Sequence, residues 1–368
     1  MQQEAKMKTQ TKILLATLTL CTTSVSAAEN TLNIYNWSDY ISEEAIASFE
    51  AKTGIEVNYD VYDSQELAET KLLVGKTGYD LVVSSGSFLQ RQIKVGVFQP
   101  LDKSRLKNYH HLDPKVLDIV ASFDEGNQHA IPYMWGTTGI GYNIDKVSKI
   151  LGNKPVNTWE LLFQVDIVSK FTDCGVAMVD APSEVVSAML KYLGKNPNSQ
   201  DLADLKLVEE HLLKIRPYIT YFHSSSYVTD LASGNICLAM GWSGDVFMAA
   251  NRAIEAKNGI NVNYVIPREG AQGWADTFNI TSDSKNVDAA YAFLDHILEP
   301  QVIAGISNYV WYANANQDAF EYIDTDITSH PGIYPDNKTR KNLFADKGRT
   351  LKYERAMNRM WTRVKTGL

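Results

Sequence analysis

Leu32-Asn33-Ile34-Tyr35-Asn36-Trp37-Ser38-Asp39-Tyr40, with Ser42-Glu43-Glu44 close behind it, is the stretch whose reading decides the fold class. Leu32 to Tyr35 alternates in polarity as a strand does. Ser42 has the chemistry of a helix N-cap, and the two glutamates in the first turn suit the helix dipole. Ile46 and Phe49 supply an inward face, and Lys52-Thr53-Gly54 ends the helix. The order is strand, loop, helix. In open α/β sheets such loops lie at the carboxyl ends of the strands, where ligands bind. Trp37, Ser38, Asp39 and Tyr40 bring an indole, a hydroxyl, a carboxylate and a phenol into that loop, a set that suits an organic cation. An ordinary surface loop with a packed Trp is the competing reading.

The same pattern continues outward. Glu56 to Val61 alternates as a strand, Ser64 caps a helix that Gly75 closes, and Asp80-Leu81-Val82-Val83 is a short apolar run of the buried parallel type. Right-handed crossovers place the next loop, Ser84-Ser85-Gly86-Ser87-Phe88, on the sheet edge that carries residues 36–40. Ser85 can hydrogen-bond in a cleft there. A short helix is expected from Leu89 to Val95. Ala130 to Asn143 reads as a Gly-rich bend in a segment crossing between two lobes; its three glycines fit neither G-x-G-x-x-G nor a P-loop. From 144 to 267 helices and short strands alternate again, with helices opening at Thr158 and at Ser183. A helix is expected near Asp288 to Leu298 and a last one from Asn342. Second and third crossings are expected at Trp274-Ala275-Asp276 and Trp311 to Asn316.

Residues 1–27 read as a secretory signal: Lys6, Lys8 and Lys12, an apolar run from Ile13 to Leu20, and Val25-Ser26-Ala27 for cleavage. Cys21 follows a bulky Leu20 and is read as part of the discarded peptide. No later run of about 18 apolar residues could span a bilayer. Removing the signal takes away three lysines and one glutamate, which moves the formal charge from −8 to −10. That acidity disfavours nucleic acid and anionic membranes and is compatible with a cationic ligand. The remaining chain of roughly 340 residues favours two domains over one. Cys174 and Cys237, alone in an oxidising compartment, suggest one disulfide, with two buried thiols as the alternative. The scattered histidines make no metal set, and no cofactor is expected.

Two further stretches repeat the chemistry of the opening loop. Gly241-Trp242-Ser243-Gly244-Asp245 follows an apolar strand, and Trp274-Ala275-Asp276 follows a Pro/Gly break. Glu184 stands beside another apolar strand. An alkylammonium stays charged near neutrality and needs a carboxylate when buried. Indole faces attract it and cover methylenes. A linear diamine or triamine has both parts. Packing tryptophans and solvated acids are the bland reading, and a hydrolase using Asp245 and Asp276 as paired carboxylates is a rival one, without any accompanying catalytic signature.

Ile34 to Tyr40, Pro132-Tyr133-Met134-Trp135, Gly139 to Asn143, Tyr221 to Ser225, Gly241 to Asp245 and Tyr312 to Asn316 together resemble the periplasmic polyamine-binding components of ABC importers, most nearly the putrescine-binding branch. The resemblance implies an α/β, two-lobe periplasmic-binding-protein fold with a hinge and an interlobe ligand cleft. Its expected division is residues 28–136 plus 271–308 for lobe 1 and 137–270 plus 309–368 for lobe 2. It further implies a non-enzymatic periplasmic receptor, acting as a monomer, that passes a polyamine to an inner-membrane ABC permease. Trp37 and Trp242 would sandwich the aliphatic chain, and Asp245 and Asp276 would hold one ammonium. Ser38, Asp39 and Glu184 would add to the polar wall, while Tyr40, Ser85, Tyr312 and Trp274 would line the cleft. It also supports the Cys174–Cys237 bridge. Asp39, Ser87, Phe88, Ala181 and Asp245 follow the putrescine branch, whereas Trp274 follows the spermidine-preferring one. Asp346 stands where the putrescine branch is apolar; pointing to solvent is the favoured reading of its carboxylate, and holding a third ammonium or a guanidinium near the cleft is the alternative, so the ligand preference stays open.

Overall fold

The computed structural model describes residues 30–367. The expected export signal, with Cys21, lies outside the described residues. Ten strands form one sheet among the described residues: β1 Thr31–Trp37, β2 Glu56–Tyr62, β3 Leu81–Ser85, β4 Ala130–Asn143, β5 Val176–Met178, β6 Tyr221–Phe222, β7 Leu238–Trp242, β8 Val262–Val265, β9 Gly273–Ile280 and β10 Ala313–Asn314. Their order is β2-β1-β3-β9-β4-β7-β5-β6, and β8 and β10 also pair with β4. Two parallel groups result, β2-β1-β3 on one side and β7-β5-β6 on the other. Antiparallel β9 and β4 join them. Parallel strands need helical crossovers, so each group is layered by helices, and its loops gather at strand ends facing the junction.

The junction depends on β4. Its first half pairs with β9, its second half with β7 and β8, and the register breaks between Pro132 and Trp135, where proline removes a ladder donor. The expected bend is therefore a continuous 14-residue strand. Its glycines serve close packing: a Cβ on Gly136 would come within 2.8 Å of both Ser243 Oγ and the Trp274 ring.

Local chemistry sets most element ends. Ser42 Oγ accepts from the Ala45 amide, Ser64 Oγ from Leu67, and Gly54 closes its helix in the left-handed conformation, φ 70°. Several boundaries differ from expectation. The strand read from Asp80 runs Leu81–Ser85, and the helix read from Leu89 already begins at Gly86. The helix at Thr158 is one turn, Glu160–Phe163, and the one read from Ser183 opens at Pro182, suited to a first helical position. The last helix begins at Leu351, not Asn342, because Thr350 provides the cap. Phe344 instead forms an isolated bridge at the start of β9, with Gly273 N donating to Phe344 O at 2.9 Å and Phe344 N to Ala271 O at 3.0 Å, and residues 345–350 hydrogen-bond to Asn198 and Gln200.

Cys174 and Cys237 are bridged, with Cα atoms 5.5 Å apart, just ahead of the adjacent strands β5 and β7. The bridge spans a sequence separation of 63. A chain-entropy treatment of that loop gives about 4 kcal/mol. Replacing both cysteines by serine should therefore lower the urea midpoint without changing the fold. An unchanged midpoint against the oxidised parent would refute that contribution.

Candidate functional site

Strand ends deliver the site's side chains. Trp37 is the last residue of β1 and Trp242 the last of β7. The helix Ser243–Ala256 starts immediately after Trp242, which puts Asp245 in its first turn. Glu184 likewise lies in the first turn of the helix Pro182–Tyr192. Both carboxylates thus sit at the positive ends of helices. Asp276 of β9 is paired in register with Ser85 of β3. The chain brings these residues together from segments more than 200 positions apart.

A single cavity of about 1070 Å³, including its open mouth, is lined by Trp37, Ser38, Asp39, Tyr40, Ser85, Glu184, Trp242, Asp245, Trp274, Asp276 and Tyr312. All eleven residues singled out from the sequence meet there. Their rings form two strings. Tyr62, Trp37 and Trp242 follow one another at 4.6 and 5.1 Å between centroids, and Tyr40, Tyr312 and Trp274 at 5.2 and 5.4 Å. The Trp37–Trp242 contact is edge-on at 64°. The two indoles that the resemblance would set about an aliphatic chain thus meet directly, and both line the cavity.

The acids are held by neutral donors. Tyr227 and Tyr312 each donate to one oxygen of Asp245, both at 2.7 Å. Trp242 Nε1 donates to Glu184 at 3.1 Å, and the Thr138 hydroxyl also donates to it. Trp274 Nε1 donates to Thr138 Oγ1 at 3.2 Å, which ties the indole of β9 to the carboxylate through one hydroxyl. Burial dominates the proton equilibria. It pushes Glu184 up to about 7, with the Thr138 and Trp242 hydrogen bonds pulling the other way. It pushes Asp245 up to about 6 against its two tyrosine partners. Asp276 rises to about 7, again by desolvation, with the Tyr40 and Ser85 hydroxyls opposing. None of the three has a basic side chain within 4 Å among the described residues.

Asp39 differs from them. It is exposed, adopts φ 55°, and pairs with Arg252 at 3.2 Å, linking the β1 loop to the Ser243–Ala256 helix. Of the two readings of Asp346, the structure goes against the favoured one, in which its carboxylate faces solvent. It is 7% exposed, lines the cavity, accepts from Ser87 and pairs with Arg349 at 2.8 Å. The bridge at Phe344 and the hydrogen bonds of Ala345 and Lys347 to Asn198 fix the backbone on either side of it. Sequence reasoning also missed Thr138, Tyr227, Glu66 and Gln272. Thr138 and Tyr227 orient acids from distant elements and have no local signal, while Glu66 reads as an ordinary first-turn acid.

No group of histidine, cysteine or acidic side chains suited to a metal ion occurs among the described residues, and no helix among them is long and apolar enough to cross a membrane.

Comparison with known proteins follows the same direction. The bacterial extracellular solute-binding protein family matches residues 44–335. The chain is 51% identical over 346 residues, 94% of each chain, to the putrescine-binding periplasmic protein PotF of Escherichia coli. It is 48% identical over 343 residues, 93% of this chain and 94% of the other, to the putrescine-binding periplasmic protein SpuD of Pseudomonas aeruginosa. The crystal structure of the spermidine/putrescine ABC transporter substrate-binding protein PotD of Streptococcus pneumoniae superposes with a TM-score of 0.74 at 29% identity, covering 92% of this chain and 99% of that one. The fold is accordingly the two-lobe α/β arrangement of substrate-binding proteins. With a family match over most of its length and two relatives near half identity across nearly all of it, the chain belongs to the bacterial extracellular solute-binding proteins.

Proposed function

We propose that this protein captures a small linear polyamine in the periplasm and hands it to an ABC permease of the inner membrane. The observation that carries the reading is one cavity in which three buried carboxylates lack any basic partner while indole and phenol rings cover the walls. Such a site is electrostatically incomplete until a cation enters. A flexible diamine supplies ammonium groups for the acids and methylenes for the rings. Asp245 and Asp276 bind an ammonium, Glu184, Ser38 and Asp39 complete the polar wall, and Trp37, Trp242, Trp274, Tyr40, Ser85 and Tyr312 enclose the chain. The names of the relatives support the same ligand class and compartment. Residues 28–136 plus 271–308 and residues 137–270 plus 309–368 act as the two bodies that close on it, with β4, β9 and the segment around β10 as the crossings. The protein works as a monomer, without cofactor or metal.

The rival use of Asp245 and Asp276 as catalytic carboxylates loses its support. The relatives are named as binding proteins.

Calorimetric titration with putrescine, cadaverine, agmatine and spermidine tests the proposal, and absence of binding to all four overturns it. Asp245→Asn should weaken putrescine at least about thirtyfold, because it removes a buried charge partner. Trp242→Ala should weaken it about tenfold through lost ring contact. Substitutions that leave the affinity unchanged would remove these residues from the site.

The proton equilibria add a pH test. The unfolded chain releases the protons of these acids near pH 4, whereas the folded, ligand-free chain keeps them until about pH 6 to 7. Stability contributed by these groups therefore falls as pH rises from about 4 to 7. A cationic ligand binds the ionised form. Affinity should drop at least about tenfold from pH 8 to pH 5, the ligand-induced rise in melting temperature should grow with pH, and binding near pH 6.5 should release protons. Equal binding heats in buffers of different ionisation enthalpy would contradict this.

A further inference from the structure

Two bodies that close on a ligand are held shut by contacts with the ligand and by contacts with each other. Asp39–Arg252 and Asp63–His223 join the β2-β1-β3 group to the β7-β5-β6 group, but all four side chains are more than a third exposed. Water and salt screen such pairs. A further pair across the junction differs from them. Arg91 lies on the helix Gly86–Lys94, directly after β3, and Glu354 lies in the first turn of the helix Leu351–Thr366. That last helix packs on Pro182–Tyr192 and Leu202–Ile215, which fall between β5 and β6. Arg91 Nη1 meets Glu354 Oε1 at 2.9 Å, with only about a fifth of each side chain exposed.

The guanidinium is prepared for that contact by its own side of the molecule. Glu69, on the helix Gln65–Val74, accepts from Arg91 Nε and Nη2, both at 3.0 Å. The Phe88 ring lies against the guanidinium at 4.4 Å, and Ser87 Oγ accepts from Nη1 at 3.4 Å. A planar fork fixed in this way loses little freedom when its last partner arrives. Burial pushes the Glu354 carboxyl up, and Arg91 is the foremost charge opposing that shift. Neither Arg91 nor Glu354 lines the main cavity; both line an adjoining one of about 340 Å³ between the same helices. Ser87 and Phe88 line both cavities. The ion pair therefore adjoins the ligand site without reaching into it.

We propose that Arg91 and Glu354 are positioning residues that clasp the two bodies over the bound ligand and set its rate of release, whichever amine it is. The proposal rests on the polyamine reading of the main cavity and on its two closing bodies. Opening separates Glu354 from Arg91 while Glu69 and Phe88 keep the guanidinium in place, so each closure meets a ready partner. The ligand enters the open form, in which the pair is already broken, so the clasp acts on release and not on entry.

The test is calorimetry and stopped-flow tryptophan fluorescence on the whole protein at pH 8 and physiological salt, with putrescine, cadaverine and spermidine. Glu354→Gln should weaken every ligand that binds by the same factor, about fivefold, through faster dissociation, with association changed less than about twofold. Arg91→Gln separates the clasp from a plain field effect. Removing a positive charge near a cation site would by itself tighten binding, whereas loss of the clasp weakens it about fivefold. Glu209→Gln, which breaks the Arg363–Glu209 pair on the same last helix but within one body, should leave affinity and rates unchanged. Tighter or unchanged binding in Arg91→Gln overturns the proposal. So does a Glu354→Gln loss that grows with the number of ligand charges, that appears in association, or that Glu209→Gln reproduces. Should Arg91→Gln fail to fold, the rates and ligand independence of Glu354→Gln decide alone. Failure of the parent protein to bind any of the amines refutes the polyamine reading itself, a result reached before any variant is made.

Discussion

Three carboxylates out of water with no cation beside them are the constraint on which this molecule turns. Taking an acid out of water disfavours its charged form, and hydroxyl and indole donors recover only part of that loss. Glu184 and Asp245 show the balance directly: the first accepts from an indole N–H and a hydroxyl and the second from two tyrosine hydroxyls, yet both, like Asp276, are pushed up towards neutrality. The ligand-free cleft is therefore held short of its best electrostatic state. A receptor that must release its cargo benefits from this, because ligand affinity comes from relieving a penalty already built into the protein.

Holding such acids in place requires a stiff frame, and the frame is the antiparallel pair β4 and β9. β4 carries Thr138, which accepts from Trp274 and donates to Glu184, so one hydroxyl joins an indole on β9 to an acid on a helix of the opposite strand group. β9 carries Asp276 opposite Ser85. Gly136 lets the Trp274 ring lie directly on the strand. Exposed pairs such as Asp39–Arg252 lie at the rim and are worth little in stability, on the order of 1 kcal/mol or less. They orient loops around the mouth of the cavity.

The aromatic lining of the cavity is built of two strings of rings. Trp37 and Trp242 touch edge-on in one, and Tyr40, Tyr312 and Trp274 follow one another in the other. Membership of the solute-binding family and the two-lobe fold stand on both the topology and the comparisons.

Strand–loop–helix order, the caps at Ser42 and Ser64, the disulfide pair and the eleven residues that meet in the cavity were legible in the sequence, because periodicity and capping are local and because the Trp-plus-Asp stretches are unusual in chemistry. Element ends were less so: the last helix waits for Thr350, because the residues before it bond to Ala271 and Gly273 at one end and to Asn198 and Gln200 along the rest, partners distant in sequence. The same bonds fix the backbone on either side of Asp346. Only tertiary structure decided which acids are neutralised, since Arg349 and Arg252 reach Asp346 and Asp39 while Glu66, Glu184, Asp245 and Asp276 are left without a cation. The amino-acid sequence determines which charges the chain carries; whether a charge is spent or available depends on distance and on exclusion of water, and both of these exist only once the chain has folded.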